Sequence, residues 1–583
     1  MKKLYIPLLL LLVAPSLWSQ YRTVEERRDT VVAFWKQQGD YGKYYASAIA
    51  LSLDTAQRAR GFRMIEEMTS VTSPDIIERF RMTATFLRLH DILPDTLKKK
   101  FHFIWTHFPV RPFYGEHEKV AYYTALYLAT RYFPEDMRYF NGRSRMENEQ
   151  DARAYLLRWI KESTELGQRE FDSPTYASIF LSAMVLLRDF AVDNDMSRRA
   201  DLMAQWLMAD FAHDHLNGTY CGAHARENMR SAMNPNSADM TGISWLYFAD
   251  GPIAFGRDQL FVALSDFRVH PAIVELATNR RSPFETWERK RSARRIRATN
   301  GPDEDVVRYT YMDPLYAMGS IPGGLIQPRE QHSWDVTWIA RDPQTPATLF
   351  VMQPYSDAPS VTPFLAHESE LALRNVNSLD PYFSTVTKTV GGSPFEDVFQ
   401  YKNTLIDLYD VGEVARFPLI AGFFPMDFQA LDVDSLVTGW ITMDVGDVYL
   451  AVYPFKKYRL AEGMVGKRFM SAEKRNGVIV QVMGRNEAGS YKQFKQRIHA
   501  TIPDLSAYDS DLRMSYTSIT GHTLQFTFGG ERTVDGETPG MQDGMLFDSP
   551  WLSSRRGSGI LTLTASKGTM IIDMSALEIR SEQ

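Results

Sequence analysis

The sequence predicts two large domains, a helical half followed by an antiparallel β-sandwich. Three observations carry this. The chain has 583 residues, more than one ordinary core holds. From about residue 25 to 275 apolar side chains recur at helical spacing. After Asp303 the apolar period becomes two, and turn residues punctuate the runs.

The N-terminus reads as a leader. Lys2 and Lys3 form a short basic stretch, and Leu4 to Ala14 an apolar one too short for a comfortable membrane span. Pro15, Ser16 and Ser19 precede an expected cut near Ser19–Gln20. No Cys lies near that cut, which argues against a lipid anchor, and no later segment reaches spanning length without charge. The boundaries expected are therefore a signal peptide over 1–20, a helical domain over 21–280, a basic linker over 281–302 and a β domain over 303–583. The mature protein is expected in the periplasm or outside the cell.

Within the helical half, Val120, Tyr123, Ala125, Leu126, Leu128 and Ala129 mark one helix. Tyr155, Leu156, Trp159 and Ile160 mark the next. Ile179, Phe180, Ala183, Met184 and Leu187 follow, then Met203, Trp206, Leu207 and Phe211. Pro174 and Pro235 suit first turns, and Asp172 or Ser173 suits an N-cap. Consecutive helices joined by loops fit pairs arranged as a ring or bundle. Arg280, Arg281, Arg289, Lys290, Arg291, Arg294, Arg295 and Arg297 then read as a basic connecting helix, either solvated or a rim attracting an anionic polymer. In the β half, Asp447–Tyr453, Gly477–Val482, His522–Phe528 and Ile560–Thr564 alternate, and Lys567-Gly568 joins the last to Thr569–Met574 as a tight hairpin. Many short strands of this kind suit an antiparallel sandwich.

Composition excludes some functions. A net charge of −6 offers no global field for nucleic acid. Cys221 is the only cysteine, so no disulfide within the chain supports the fold, and it reads as a buried thiol. There is no H-E-x-x-H, paired C-x-x-C, phosphate loop, dinucleotide fingerprint or G-x-S-x-G elbow. No cofactor is expected. The four histidines of the β half, His332, His367, His499 and His522, are scattered, so spacing neither demands nor forbids a divalent metal.

Chemistry-bearing residues concentrate in four places. His117 stands in Gly115-Glu116-His117-Glu118 at the start of an apolar helix, either capping it or facing substrate. Glu170 and Tyr176 flank Asp172-Ser173-Pro174, with Tyr176 either packed or giving and taking a proton. Tyr220, His224 and Arg226 share a glycine-bounded loop, where Arg226 can clamp a carboxylate through two parallel hydrogen bonds. Tyr311, Tyr316, His332 and Trp334 open the β half and can close a cleft against the helices, or simply pack. Together these suggest an exported enzyme acting on carbohydrate.

Four motifs, in order, resemble heparinase II/III-like proteins. They are Gly115 to Ala129, Gly167 to Tyr176, Gly222-x-His224-x-Arg226, and Tyr311 to Ser320 followed by Gln331-His332-Ser333-Trp334. The resemblance implies an (α/α) toroid followed by an antiparallel β-sandwich. It also implies a polysaccharide lyase that cuts uronic-acid-containing polymers, with a Tyr/His pair moving protons. By position, His117, Tyr176, His224 and His332 belong to that set, with Glu170 beside them. The family pattern has Asn before the first histidine; here it is Glu116, which moves the neutralising of the uronate to Arg226. Arg226, Glu116, Tyr220, Tyr311, Tyr316 and Trp334 are the expected substrate contacts. A glycoside hydrolase using a Glu/Asp pair, or a glycan-binding protein without catalysis, are the alternatives.

Overall fold

The computed structural model describes residues 23–582, apart from 40, 42–43, 71–72, 111–112, 114, 134–137, 293–304, 325, 327–329, 344, 355–390, 413–414, 416–417, 426, 436–438 and 463–465. The expected leader, together with Arg294, Arg295, Arg297 and His367, lies outside these residues.

The helices of the first half are α1 (Val24–Gln38), α2 (Tyr45–Leu53), α3 (Arg58–Met68), α4 (Ile76–Leu89), α5 (Asp95–His107), α6 (Glu116–Tyr132) and α7 (Arg145–Leu166). Then come α8 (Ala177–Phe190), α9 (Asn194–His213), α10 (Met229–Met233), α11 (Asp239–Phe248), α12 (Gln259–Ala263) and α13 (Pro271–Thr278). Contacts run α1 to α2, α2 to α4, α4 to α6, α6 to α8, α8 to α12 and α12 back to α1, so the inner helices close a ring. Outside it, α3 lies on α2, α5 on α4, α7 on α6 and α9 on α8. Inner α6 is apolar almost all round, with Val120, Ala121, Leu126, Leu128 and Ala129 buried, because it is covered on both sides. Thr23, Asp75 and Ser144 close capping boxes at α1, α4 and α7.

A 13-stranded antiparallel sheet and a six-stranded one form the sandwich. Tyr316, Met318, Trp334 and Val336 of the first pack against Leu405, Tyr409, Ile441, Leu450 and Val480 of the second. The outer face of the six-stranded sheet is covered in turn by the helix Tyr491–His499 and a three-stranded sheet, through Phe494, Met514, Leu524 and Phe526. This explains strands such as Val448–Pro454 that are apolar on both faces. The final hairpin forms as expected, with its turn at Ser566–Lys567, since Ala565 pairs with Gly568. Leu546, Leu561, Leu563 and Ile572 of the last strands pack into the helical core.

The first part of the segment read as a basic helix and linker is a strand, and 293–302 lies outside the described residues. Phe284–Arg291 is a strand inside the large sheet, between Asp305–Met312 and Met545–Asp548. Phe284, Thr286, Glu288 and Lys290 alternate inward and are buried. Lys290 Nζ lies 2.9 Å from Asp172, Asp210 and Glu288. Arg308, fully buried, pairs with Asp214 and stands 3.2 Å from Asp172. His213, at the end of α9, completes the group 2.8 Å from Glu288. Among the described residues, the charges of Lys290, Arg291 and Arg308 are internal and matched by acids from the helical half, while Arg281 is exposed. Gly167 shows how close the halves lie: with φ +91, a Cβ there would stand 2.5 Å from the Arg289 carbonyl.

Candidate functional site

Three loop ends meet beside this ionic rivet: the start of α6, the α7–α8 loop and the loop after α9. Gly115 precedes α6 and offers no side-chain cap. Glu170 does the capping from the next loop, its Oε2 accepting the His117 backbone N–H at 2.9 Å. The same oxygen meets His117 Nδ1 at 2.7 Å, which orients the ring with Nδ1–H toward the carboxylate. Glu170 Oε1 takes Arg226 Nη1 at 2.7 Å. Burial alone raises the Glu170 carboxyl, but His117 and Arg226 outweigh it and hold it far below the usual range.

Tyr176 lies on this group. Its ring stacks on His117 with centroids 4.1 Å apart, and the Arg226 guanidinium stands 5.0 Å from its centre. Arg226 also pairs with Glu330, so two carboxylates share it. Burial pulls its pKa down, yet those two acids drive it well above normal. Three of these groups converge on Gly115, where a Cβ would fall 2.2 Å from Glu170 Oε1, 2.3 Å from Arg226 Nη1 and 2.8 Å from His117 Nδ1. Glu116 adjoins them: its Oε2 accepts the Glu170 N–H at 3.1 Å, and burial raises its carboxyl.

His224 and His332 form a second pair. Their backbones exchange hydrogen bonds of 2.9 and 3.0 Å, joining the helical half's loop to the β half. Their rings lie nearly parallel, 5.9 Å apart. His224 Nδ1 and His332 Nε2 are buried without hydrogen-bond partners, although His332 Nε2 is 3.4 Å from Asp335. Burial, with His332 and Arg308 nearby, pushes His224 well below the ordinary histidine value. An extended segment links the pairs, with Ala225 N–H donating to Phe171 O at 3.2 Å between His224 and Arg226.

Other expected contacts point elsewhere. The Tyr220 hydroxyl donates to Asp172 at 2.8 Å inside the ionic rivet. Tyr316 is buried in the sandwich core, and Trp334 Nε1 donates to Asp407 at 2.7 Å there. Tyr311 is half-buried against that same core. Tyr220, Tyr316 and Trp334 are thus buried, whereas Tyr311 keeps part of its surface exposed. Asp172 is no N-cap: it adopts φ +54 and joins Lys290 and Arg308, while Ser173 Oγ accepts the Tyr176 N–H at 3.0 Å. Cys221 is a buried free thiol, as its composition suggested. Glu330 and Gly115 were missed as site residues; only adjacence to the His332 and His117 motifs could have flagged them.

Acid clusters suited to a cation also occur in the rivet, at His213, Asp214 and Glu288 and at Asp172, Asp210 and Glu288. The second is already occupied by the Lys290 ammonium. In the first, both His213 nitrogens are committed, to Glu288 and Ser549. These residues do not fit a bound metal.

No family model matches the chain, and no curated protein matches it. Two solved structures follow its path. The chondroitin AC lyase of Streptomyces coelicolor A3, in complex with chondroitin sulphate, aligns over 98% of this chain and 90% of its own, with 8% identity and a TM-score of 0.39. A Paenibacillus xanthan lyase aligns over 93% of this chain and 60% of its own, with 8% identity and a TM-score of 0.38. Likeness at this level says nothing of chemistry at a site. No described helix is long and apolar enough to cross a membrane.

Proposed function

We propose that the protein is an exported carbohydrate-active enzyme, a polysaccharide lyase that cleaves a uronic-acid-containing polymer by β-elimination. One observation carries the reading: His117, Tyr176 and Arg226 are stacked in series about the single carboxylate of Glu170. In the reaction, His117 Nε2 takes the proton from C5 of the uronate. Those electrons form the C4–C5 double bond as the C4–O bond breaks, and the Tyr176 hydroxyl donates a proton to the departing oxygen. Glu170 favours this by holding the ring's tautomer and stabilising the imidazolium formed.

Charge also grows on the uronate carboxyl. Arg226 was the expected neutraliser, but its sharing by Glu170 and Glu330 argues against that. The task goes to His224, whose Nδ1 is buried without a hydrogen-bond partner, with His332 beside it. A donor of this kind contributes about 2.7–4 kcal/mol to the transition state.

A second reading, hydrolysis, has one observation in its favour: neighbouring Glu116 and Glu170 are pushed in opposite directions, up and down. Digesting oligogalacturonate, alginate and chondroitin polymers separates the two. New reducing ends with the near-ultraviolet absorbance of an unsaturated uronate support the lyase. Reducing ends without that absorbance support hydrolysis, and no product on any polymer contradicts both.

A further inference from the structure

A separate cleft of about 300 Å³ lies on the β half, on the face of the large sheet opposite the ionic rivet. Its floor follows from strand alternation. In Phe284–Arg291 the residues between the buried ones, Trp287 and Arg289, face outward. Trp287 stands opposite Tyr309 on the neighbouring strand, and Tyr309 opposite Ser320 on the next. The Trp287 and Tyr309 rings overlap, with centroids 4.2 Å apart, so half-buried Trp287 forms the aromatic floor and buried Tyr309 backs it. Gln400 and Arg532 wall it from two other sheets, and the loop at Thr538 forms its lip.

Two polar atoms at the cleft lack partners. Gln400 is 4% exposed; its Nε2 donates to Met318 O at 2.7 Å and Lys402 O at 3.0 Å, while its Oε1 accepts nothing. Arg532 Nε is also buried without a partner. A buried amide oxygen and guanidinium N–H left unpaired cost free energy unless something meets them. The charges are otherwise matched: Arg289 pairs with Asp305 at 3.0 Å, and Arg532 pairs with Asp397. The cleft therefore asks for a ligand with adjacent hydroxyls, able both to donate and accept, and a C–H face for the aromatic floor. It does not ask for net charge.

We infer that this cleft binds a pyranose ring of a glycan chain, with Trp287, backed by Tyr309, beneath it and Gln400 and Arg532 at the side, apart from the His117 site. Hydroxyls reach Gln400 Oε1 as donors and Arg532 Nε as acceptors. Such a site would hold a polymer to the β half while another stretch reaches the helical half. The assignment rests on the cleft's own chemistry and survives failure of the lyase reading.

The test is isothermal titration of the full chain with a cello-oligosaccharide and with alginate and chondroitin oligosaccharides. Three proteins are compared: wild type, Trp287→Ala, and Thr538→Trp. Thr538 is exposed at the lip, so the last fills the cleft without removing packing. At least one probe should bind wild type, and both variants should weaken it by roughly tenfold or more. Circular dichroism and melting should leave Thr538→Trp folded like wild type. If no probe binds, or if Thr538→Trp binds like wild type, the inference is wrong. Sugar binding lost in Thr538→Trp, in a protein that makes no product from any polymer, would uphold this site while removing the lyase reading.

Discussion

Glu170 is the side chain on which the candidate site turns, since it caps α6, orients His117 and holds Arg226. Replacing it by Gln keeps the shape and removes the anion. Arg226 then keeps one carboxylate, and breaking a buried pair of this kind costs about 3–5 kcal/mol. Urea unfolding of Glu170→Gln should show that loss, together with lower cleavage. Gly115→Ala is a sharper probe of geometry. Its backbone is extended, not left-handed, so the harm comes from the Cβ that would intrude on Glu170, Arg226 and His117. Turnover should fall by about a hundredfold while the circular dichroism spectrum stays as in wild type. The residues themselves were legible in the chain, because polar clusters interrupted apolar helices. Their pairing was not: His117 and Glu170 are 53 positions apart, and Arg226 and Glu330 are 104 apart. Nothing in spacing tells which imidazole meets which acid.

The strand Phe284–Arg291 shows why an element can be misread. It alternates with period two, yet Glu288 and Lys290 take the inward places, so charge suggested solvent where the structure has burial. The inward face is polar because it meets Asp172, Asp210 and His213 of the helical half. Lys290→Met would leave three acids without their common cation. It should destabilise the protein by about 3–5 kcal/mol, measured by urea unfolding. A loss under about 1 kcal/mol would mean the rivet does not hold the halves. Helices α6 to α9 were legible from their apolar stripes, and the last hairpin from its turn. The short α10 and α12 were not, since five residues carry too little periodicity.

For the whole molecule, helices before strands was readable from the change of period, whereas closure of the ring and return of the last strands to the helical core depend on contacts between distant segments. Buried histidines at this junction also tie stability to acidity. His215 donates Nδ1–H to Ala277 O at 3.0 Å and accepts the Gly218 N–H at Nε2 at 2.8 Å, so it is neutral, and burial pushes it down to about 4. The unfolded chain takes the proton first, so this group's contribution is full above about pH 6.5 and falls below it. The stability difference between wild type and His215→Asn should therefore shrink by roughly 2 kcal/mol from pH 7 to pH 5. Melting both proteins at each pH checks this and cancels the other acids. In the proposed reaction His117 and Tyr176 move the protons of one elimination. The direct test is the rate of unsaturated product from a cleaved uronate polymer, in wild type and in Tyr176→Phe, which keeps the stack on His117 and loses only the hydroxyl. The rate should fall by about a hundredfold or more; a rate within about twofold of wild type would contradict the proposed proton transfer.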